Sequence, residues 1–160
     1  MKHQEVFLTI LILAFLIGII CGLRALMGPA IACWGAGLGW FSLAGTPLNF
    51  MSHVVTRWIF TLAEIGELIN DKLPKTPSRK VPPQFIARVV MGALAGATLG
   101  AAHDSLAGGL VAGAIGAVVG TLGGAAVRGA LANAFGKDLP AALIEDAVAL
   151  FGAIFIVSRV

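Results

Sequence analysis

The sequence predicts an all-α, multi-pass membrane protein. Of its 160 residues 58% are hydrophobic and 12% charged, with a mean hydropathy of +0.94. A soluble domain typically carries about 25% charged residues. The apolar runs are as long as a bilayer crossing, and the charges gather in short interruptions and on one helix face. At about 20 residues per span the length admits four or five spans and no sizeable soluble domain, so residues 1–160 read as one polytopic unit. The net charge of +3 and pI ≈ 9.2 could suggest nucleic acid. The basic residues instead cluster in one short loop, as expected of a cytoplasmic segment, so the partner is the lipid bilayer and nucleic acid is excluded.

A first span is expected over 6–27, closed by Gly28-Pro29 and carrying Arg24 in its last turn. Its basic start and apolar core resemble a secretion signal, but no A-x-A site follows, so it reads as uncleaved. Residues 30–51 are apolar yet interrupted by Gly35, Gly37, Gly39, Gly45 and Pro47, which fits a broken, re-entrant or interfacial segment. Trp34, Trp40 and Trp58 would mark one membrane face. A second span is expected over 52–70. The loop 71–82 holds Lys72, Lys75, Arg79 and Lys80 among three prolines, with Pro83 next, and should face the cytoplasm.

A third span over 83–101 leads through a turn at His103-Asp104-Ser105 to a fourth over 106–127. A polar return from Arg128 to Asp138 precedes a fifth span over 139–157, with Pro140 well placed near its start. With loop 71–82 inside, this count puts the N-terminus inside and the C-terminus outside.

The second span carries the chemistry. Arg57, Glu64, Glu67 and Asp71 fall within an arc of roughly 80° at 100° per residue, so they share one face. With Arg24, Arg88, Arg128, Glu145 and Asp146 they form a set of nine charges within or beside the spans. Each costs about 2.5–3.5 kcal/mol at the bilayer centre and less toward the ends, so all nine facing lipid would cost about 10–25 kcal/mol, more than a small protein's stability. They must pair, snorkel or line water. One reading makes Glu64 and Glu67 a proton or cation site with arginines as counter-charges. A second has the arginines hold an anionic group. A third makes the set a structural network that fixes helix register. Glu145 and Asp146 also suit an early helical turn, where acids complement the macrodipole.

Gly92, Gly96 and Gly100 on the third span, and Gly109, Gly113, Gly116, Gly120 and Gly123 on the fourth, form a glycine-zipper pattern. It suits either close packing of those two spans or a homo-oligomer interface. Cys21 and Cys33 sit in apolar surroundings as buried small hydrophobes. No metal-ligand spacing surrounds His103, and no phosphate-cradling loop is present, so neither metal nor cofactor is expected. Without a Ser/His or metal arrangement, an enzyme is not expected either. Gly22-Leu23-Arg24-Ala25-Leu26 and Val127-Arg128-Gly129-Ala130-Leu131 look alike, and each precedes an irregular stretch and an acidic helix. With five spans these units would be inverted copies, a transporter architecture.

Gly22-Leu23-Arg24-Ala25, then Glu67-Leu68-Ile69-Asn70-Asp71-Lys72-Leu73-Pro74, then Pro82-Pro83 opening a Gly/Ala-rich span, resemble a bacterial membrane family known as the domain of unknown function numbered 4126. The resemblance covers most of the chain. It implies a bacterial inner-membrane protein, makes Arg24, Glu67, Asp71 and Lys72 part of a family pattern, and implies no activity. The functional expectation is a small transporter or channel-like protein for an ion or small polar or anionic solute, with proton coupling through Glu64 and Glu67. Its pathway would run along Arg24, Arg57, Glu64, Glu67, Asp71, Arg88, Arg128 and Glu145, enclosed by several copies of the chain or within a larger membrane complex. The alternative is a non-catalytic membrane subunit or scaffold.

Overall fold

The computed structural model describes residues 2–71 and 80–160, with side chains from residue 4, and the regular structure in them is helical. The helices are α1 (Lys2–Leu23), α2 (Met27–Leu38), α3 (Val54–Asn70), α4 (Pro82–Ala101), α5 (Leu106–Phe135) and α6 (Asp138–Val157), with a 3₁₀ turn at Asn49–Ser52. Four of them, α1, α4, α5 and α6, are long and apolar enough to cross a membrane. The expected second span forms α3, but its 17 residues and three internal charges leave it outside that group. The basic stretch Lys72–Arg79 lies outside the described residues.

Three boundaries differ from expectation. The first span ends at Leu23 rather than residue 27, and Gly28-Pro29 falls in the first turn of α2. In a continuous helix the Pro29 ring would meet the carbonyl of Ala25, so the chain breaks over Arg24–Leu26 and restarts where proline's missing N–H costs nothing. Residues 30–51 are helical up to Leu38, where Gly39 takes a left-handed φ of 79° and its N–H closes onto Ala36. At about 1.5 Å per residue, the 12 residues of α2 cover roughly 18 Å, well short of a bilayer core. The polar return from Arg128 is not a loop: α5 continues to Phe135 and stops at Gly136, φ 67°. A single charged residue does not end a helix, whereas a left-handed glycine does.

Close glycine contacts set the helix directions. A Cβ on Gly116 would lie 3.0 Å from the Ile19 nitrogen, one on Gly120 2.8 Å from the Ile19 Cα, and one on Gly18 2.9 Å from the Gly113 Cα. Residue numbers rise together, so α1 and α5 run parallel. Gly100 meets Gly109 and Gly92 meets Gly113, so α4 runs antiparallel to α5. The glycines therefore bring α1, α4 and α5 together within one chain. Arg24 pairs with Asp146 and Gly35 faces Val157, which sets α6 alongside α2.

Two expectations fall with this layout. The start of α1 lies at the end of the bundle opposite Asp71 and Lys80, so in a bundle that crosses a membrane the N-terminus and these two residues would lie on opposite sides, against the expected arrangement. The cause is α2, which carries the chain back up before α3 descends. The inverted repeat fails likewise, since α1 and α5 point the same way. Outward faces are apolar on every side, with Val55, Leu62, Val111, Ile115, Val148 and Phe151 all exposed.

Candidate functional site

At one end of the bundle the break between α1 and α2 is buried among α3, α4 and α6. A helix end leaves unpaired carbonyls and a helix start leaves unpaired N–H groups, and in an apolar interior each must find a partner. Arg88, 2% exposed, reaches from the second turn of α4 and donates from Nη1 to the carbonyls of Leu23 (2.7 Å) and Gly22 (3.2 Å). Glu67 reaches from α3 and accepts the N–H groups of Ala25 and Leu26, one on each carboxylate oxygen, both at 2.9 Å. Arg88 Nη2 then lies 3.4 Å from Glu67 Oε1. One ion pair thus caps both sides of the break.

Arg24, fully buried, lies in the break itself and pairs with Asp71 at the end of α3 and Asp146 on α6. Arg128 extends the network. Its Nη1 is 3.3 Å from Asp71 and 3.2 Å from Glu145, and its Nε and Nη2 donate to Asp138 at 3.0 and 2.7 Å. Glu145 and Asp146, two turns into α6, are therefore network members rather than first-turn dipole partners.

Two predicted residues take no part in this pairing. Arg57 is separated from the acids it shares a face with. Its guanidinium lies against Gly37 in the last turn of α2 and 5.3 Å from the centre of the Trp34 ring. Trp34 in turn meets Trp58 edge-on at 5.7 Å and donates to Thr61 at 3.0 Å. The helix α3 thus sets an acid at the positive start of α2 and a cation at its negative end. The shared face of Arg57 and Glu67 reflects the antiparallel packing of α2 and α3 rather than any contact between the two.

Glu64 is the other. It is 5% exposed, and neither of its carboxylate oxygens has a hydrogen-bond donor among the described residues. Its charged surroundings are Glu67 one turn on, Arg24 from the break and Asp146 from α6. Beside this cluster a cleft of ≈ 350 Å³ opens between α3 and α4, with Glu67, Asn70, Asp71 and Gln84 supplying its polar wall. A groove of ≈ 320 Å³ between α1, α5 and α6 is apolar apart from Arg128 and Glu145, whereas the cleft meets the cluster at Glu67 and Asp71.

Seven of the eight predicted residues (Arg24, Glu64, Glu67, Asp71, Arg88, Arg128 and Glu145) gather here, and Arg57 does not. Asp138 and the cleft residue Gln84 were not picked out by sequence. Asp138 was legible as an acid opening a helix ten residues beyond Arg128, but its pairing depends on how α5 turns into α6. Cys21 and Cys33 are buried and unbridged, as expected. No group of three or more metal-ligating side chains forms among the described residues.

Fold and site together define a helical multi-pass membrane protein with a buried ion network at one end of its bundle. No family model, curated protein or solved structure matches the chain.

Proposed function

We propose that this protein is a small membrane carrier or channel-like unit whose ion-binding group is Glu64, reached from the cleft beside Glu67. One observation carries the reading. A buried carboxyl with no donor on either oxygen among the described residues is expensive as an ion, by several kcal/mol, so it is stable only with a proton or cation bound. Its neighbours have structural work to do, and Glu64 has none. The cleft supplies a polar approach, and the break between α1 and α2 is the kind of irregular backbone that membrane proteins tolerate where it is buried or lines a cavity.

The cluster end carries Lys80, Arg128 and Lys137, so the positive-inside rule favours it as the cytoplasmic side of a bacterial inner membrane. Both ends of the chain then lie on the opposite side. Association of several copies belongs to the same proposal. Because the glycine ladder is occupied within the chain, the exposed α3 face of Val55, Ile59 and Leu62 is the surface left for it.

Purified protein in liposomes should carry a pH-dependent flux of protons or small cations. Glu64→Gln should lower it at least tenfold while the protein stays folded, and unchanged flux would refute the reading. A second reading, a non-catalytic subunit or scaffold, is favoured by the capping roles of Arg88 and Glu67. It would be supported by a stoichiometric larger partner on purification together with absence of flux.

A further inference from the structure

We infer that the ligand of Glu64 is a proton rather than a metal cation, and that its release lets Arg24 take Glu64 as a further partner. This rests on the proposed role of Glu64 and names what occupies that site.

The oxygens near the break are already engaged. Gly22 and Leu23 carbonyls accept from Arg88, and both Glu67 oxygens hold backbone N–H groups. Asp71 and Asp146 hold Arg24. No set of three or more metal-ligating side chains exists among the described residues. A hard cation such as Ca²⁺ needs about 6–8 oxygen ligands, and Glu64 can bring two. A proton needs one.

The groups facing Glu64 decide how the cluster responds to loss of the proton. Glu67 on its own helix and Asp146 from α6 oppose a further negative charge, and Arg24 from the break attracts one. Cys21 on α1 is within electrostatic reach but neutral, and Arg88 on α4 is held by Glu67 and the α1 carbonyls. Arg24 is placed to answer a charge on Glu64, because its Nε–H is buried without an acceptor among the described residues. While the Glu64 Oε–H bond is intact, Arg24 stays with Asp71 and Asp146. When that bond breaks and the proton passes to solvent, the Glu64 carboxylate gains the charge that Arg24 Nε–H can meet, while Nη1 and Nη2 keep Asp71 and Asp146. Arg24 keeps its own proton throughout.

The test is difference infrared spectroscopy on the full-length protein in lipid nanodiscs, titrated with pH. A carbonyl band of a protonated carboxylic acid should vanish on alkalinisation, be absent in Glu64→Gln, and be indifferent to Na⁺, K⁺ or Ca²⁺ added at fixed pH. Should the glutamine variant fail to fold, Glu64→Asp should move the band. The guanidinium bands of Arg24, assigned by their loss in Arg24→Lys, should shift as the carboxylic acid band vanishes and stay unmoved in Glu64→Gln. A spectrum without any Glu64-dependent band, or a band displaced by metal cations at constant pH, overturns the proton assignment. Guanidinium bands that stay fixed while Glu64 titrates overturn the contact with Arg24. If the band behaves as expected and liposomes carry no flux, the carrier reading fails and the proton site stands.

Discussion

Gly113→Ala isolates the contact on which the bundle is built. The added Cβ would sit 2.9 Å from the Gly96 Cα and 3.1 Å from the Gly92 carbonyl carbon, with the Gly92 oxygen closer still. All three are backbone atoms of α4, so no side chain can swing aside. Reaching the ordinary contact distance of 3.4 Å from 2.9 Å requires the helices to part by at least 0.5 Å. Gly18 of α1 packs on the same residue, so the shift disturbs two interfaces. Overpacking of this kind costs about 1–3 kcal/mol, and two backbone walls put it near the top. Replacing a helical glycine by alanine returns up to about 1 kcal/mol, leaving a net loss of about 2 kcal/mol. Gly123 is the matched control: it lies ten residues on in the same helix, and its Cβ would meet nothing within 4 Å. Gly123→Ala should be neutral or stabilising by up to about 1 kcal/mol. Equilibrium unfolding in mixed micelles should therefore separate the two variants by about 2–3 kcal/mol. Equal stabilities would refute the three-helix glycine packing.

Arg24→Ala should cost about 3–5 kcal/mol by removing the buried cation between Asp71 and Asp146. Arg57→Ala should cost nearer 0.5–1 kcal/mol, roughly the worth of its contact with Trp34, and Glu64→Ala should not rescue it; unfolding of the single and double variants compares them. Glu67→Gln keeps one acceptor at the start of α2 but loses the second and the charge facing Arg88, an expected loss of about 1–3 kcal/mol by the same measurement. Ala44→Cys and Lys137→Cys, both at exposed positions at opposite ends of the bundle, should react with a membrane-impermeant maleimide from opposite sides of sealed vesicles. Labelling from the same side would overturn the helix directions.

How far the chain could be read in advance differs from element to element. The third span was expected over 83–101 and α4 occupies Pro82–Ala101, because a proline pair opens an unbroken apolar run. The fifth is as close, for the same reason. The first and fourth spans missed their ends, since the deciding events are a proline ring acting four residues upstream and a left-handed glycine eight residues beyond the first charge. In the charge set, the need for company was legible but the partners were not. Arg57 and Glu64 lie two turns apart on one face, yet one stacks on Trp34 and the other faces Arg24.

What the residues alone determined is the class of structure: apolar runs of bilayer length must become helices, because backbone polar groups in hydrocarbon can be satisfied only within the segment, and buried charges must then face inward. Only the tertiary structure decided which charge answers which. The direction of α2 made α1 and α5 parallel, placed Arg88 and Glu67 on the two raw ends of the break, and left Glu64 beside them with no donor among the described residues. Pairing depends on which helices come within a few ångströms of one another, and that is set by glycine contacts between segments far apart in the chain.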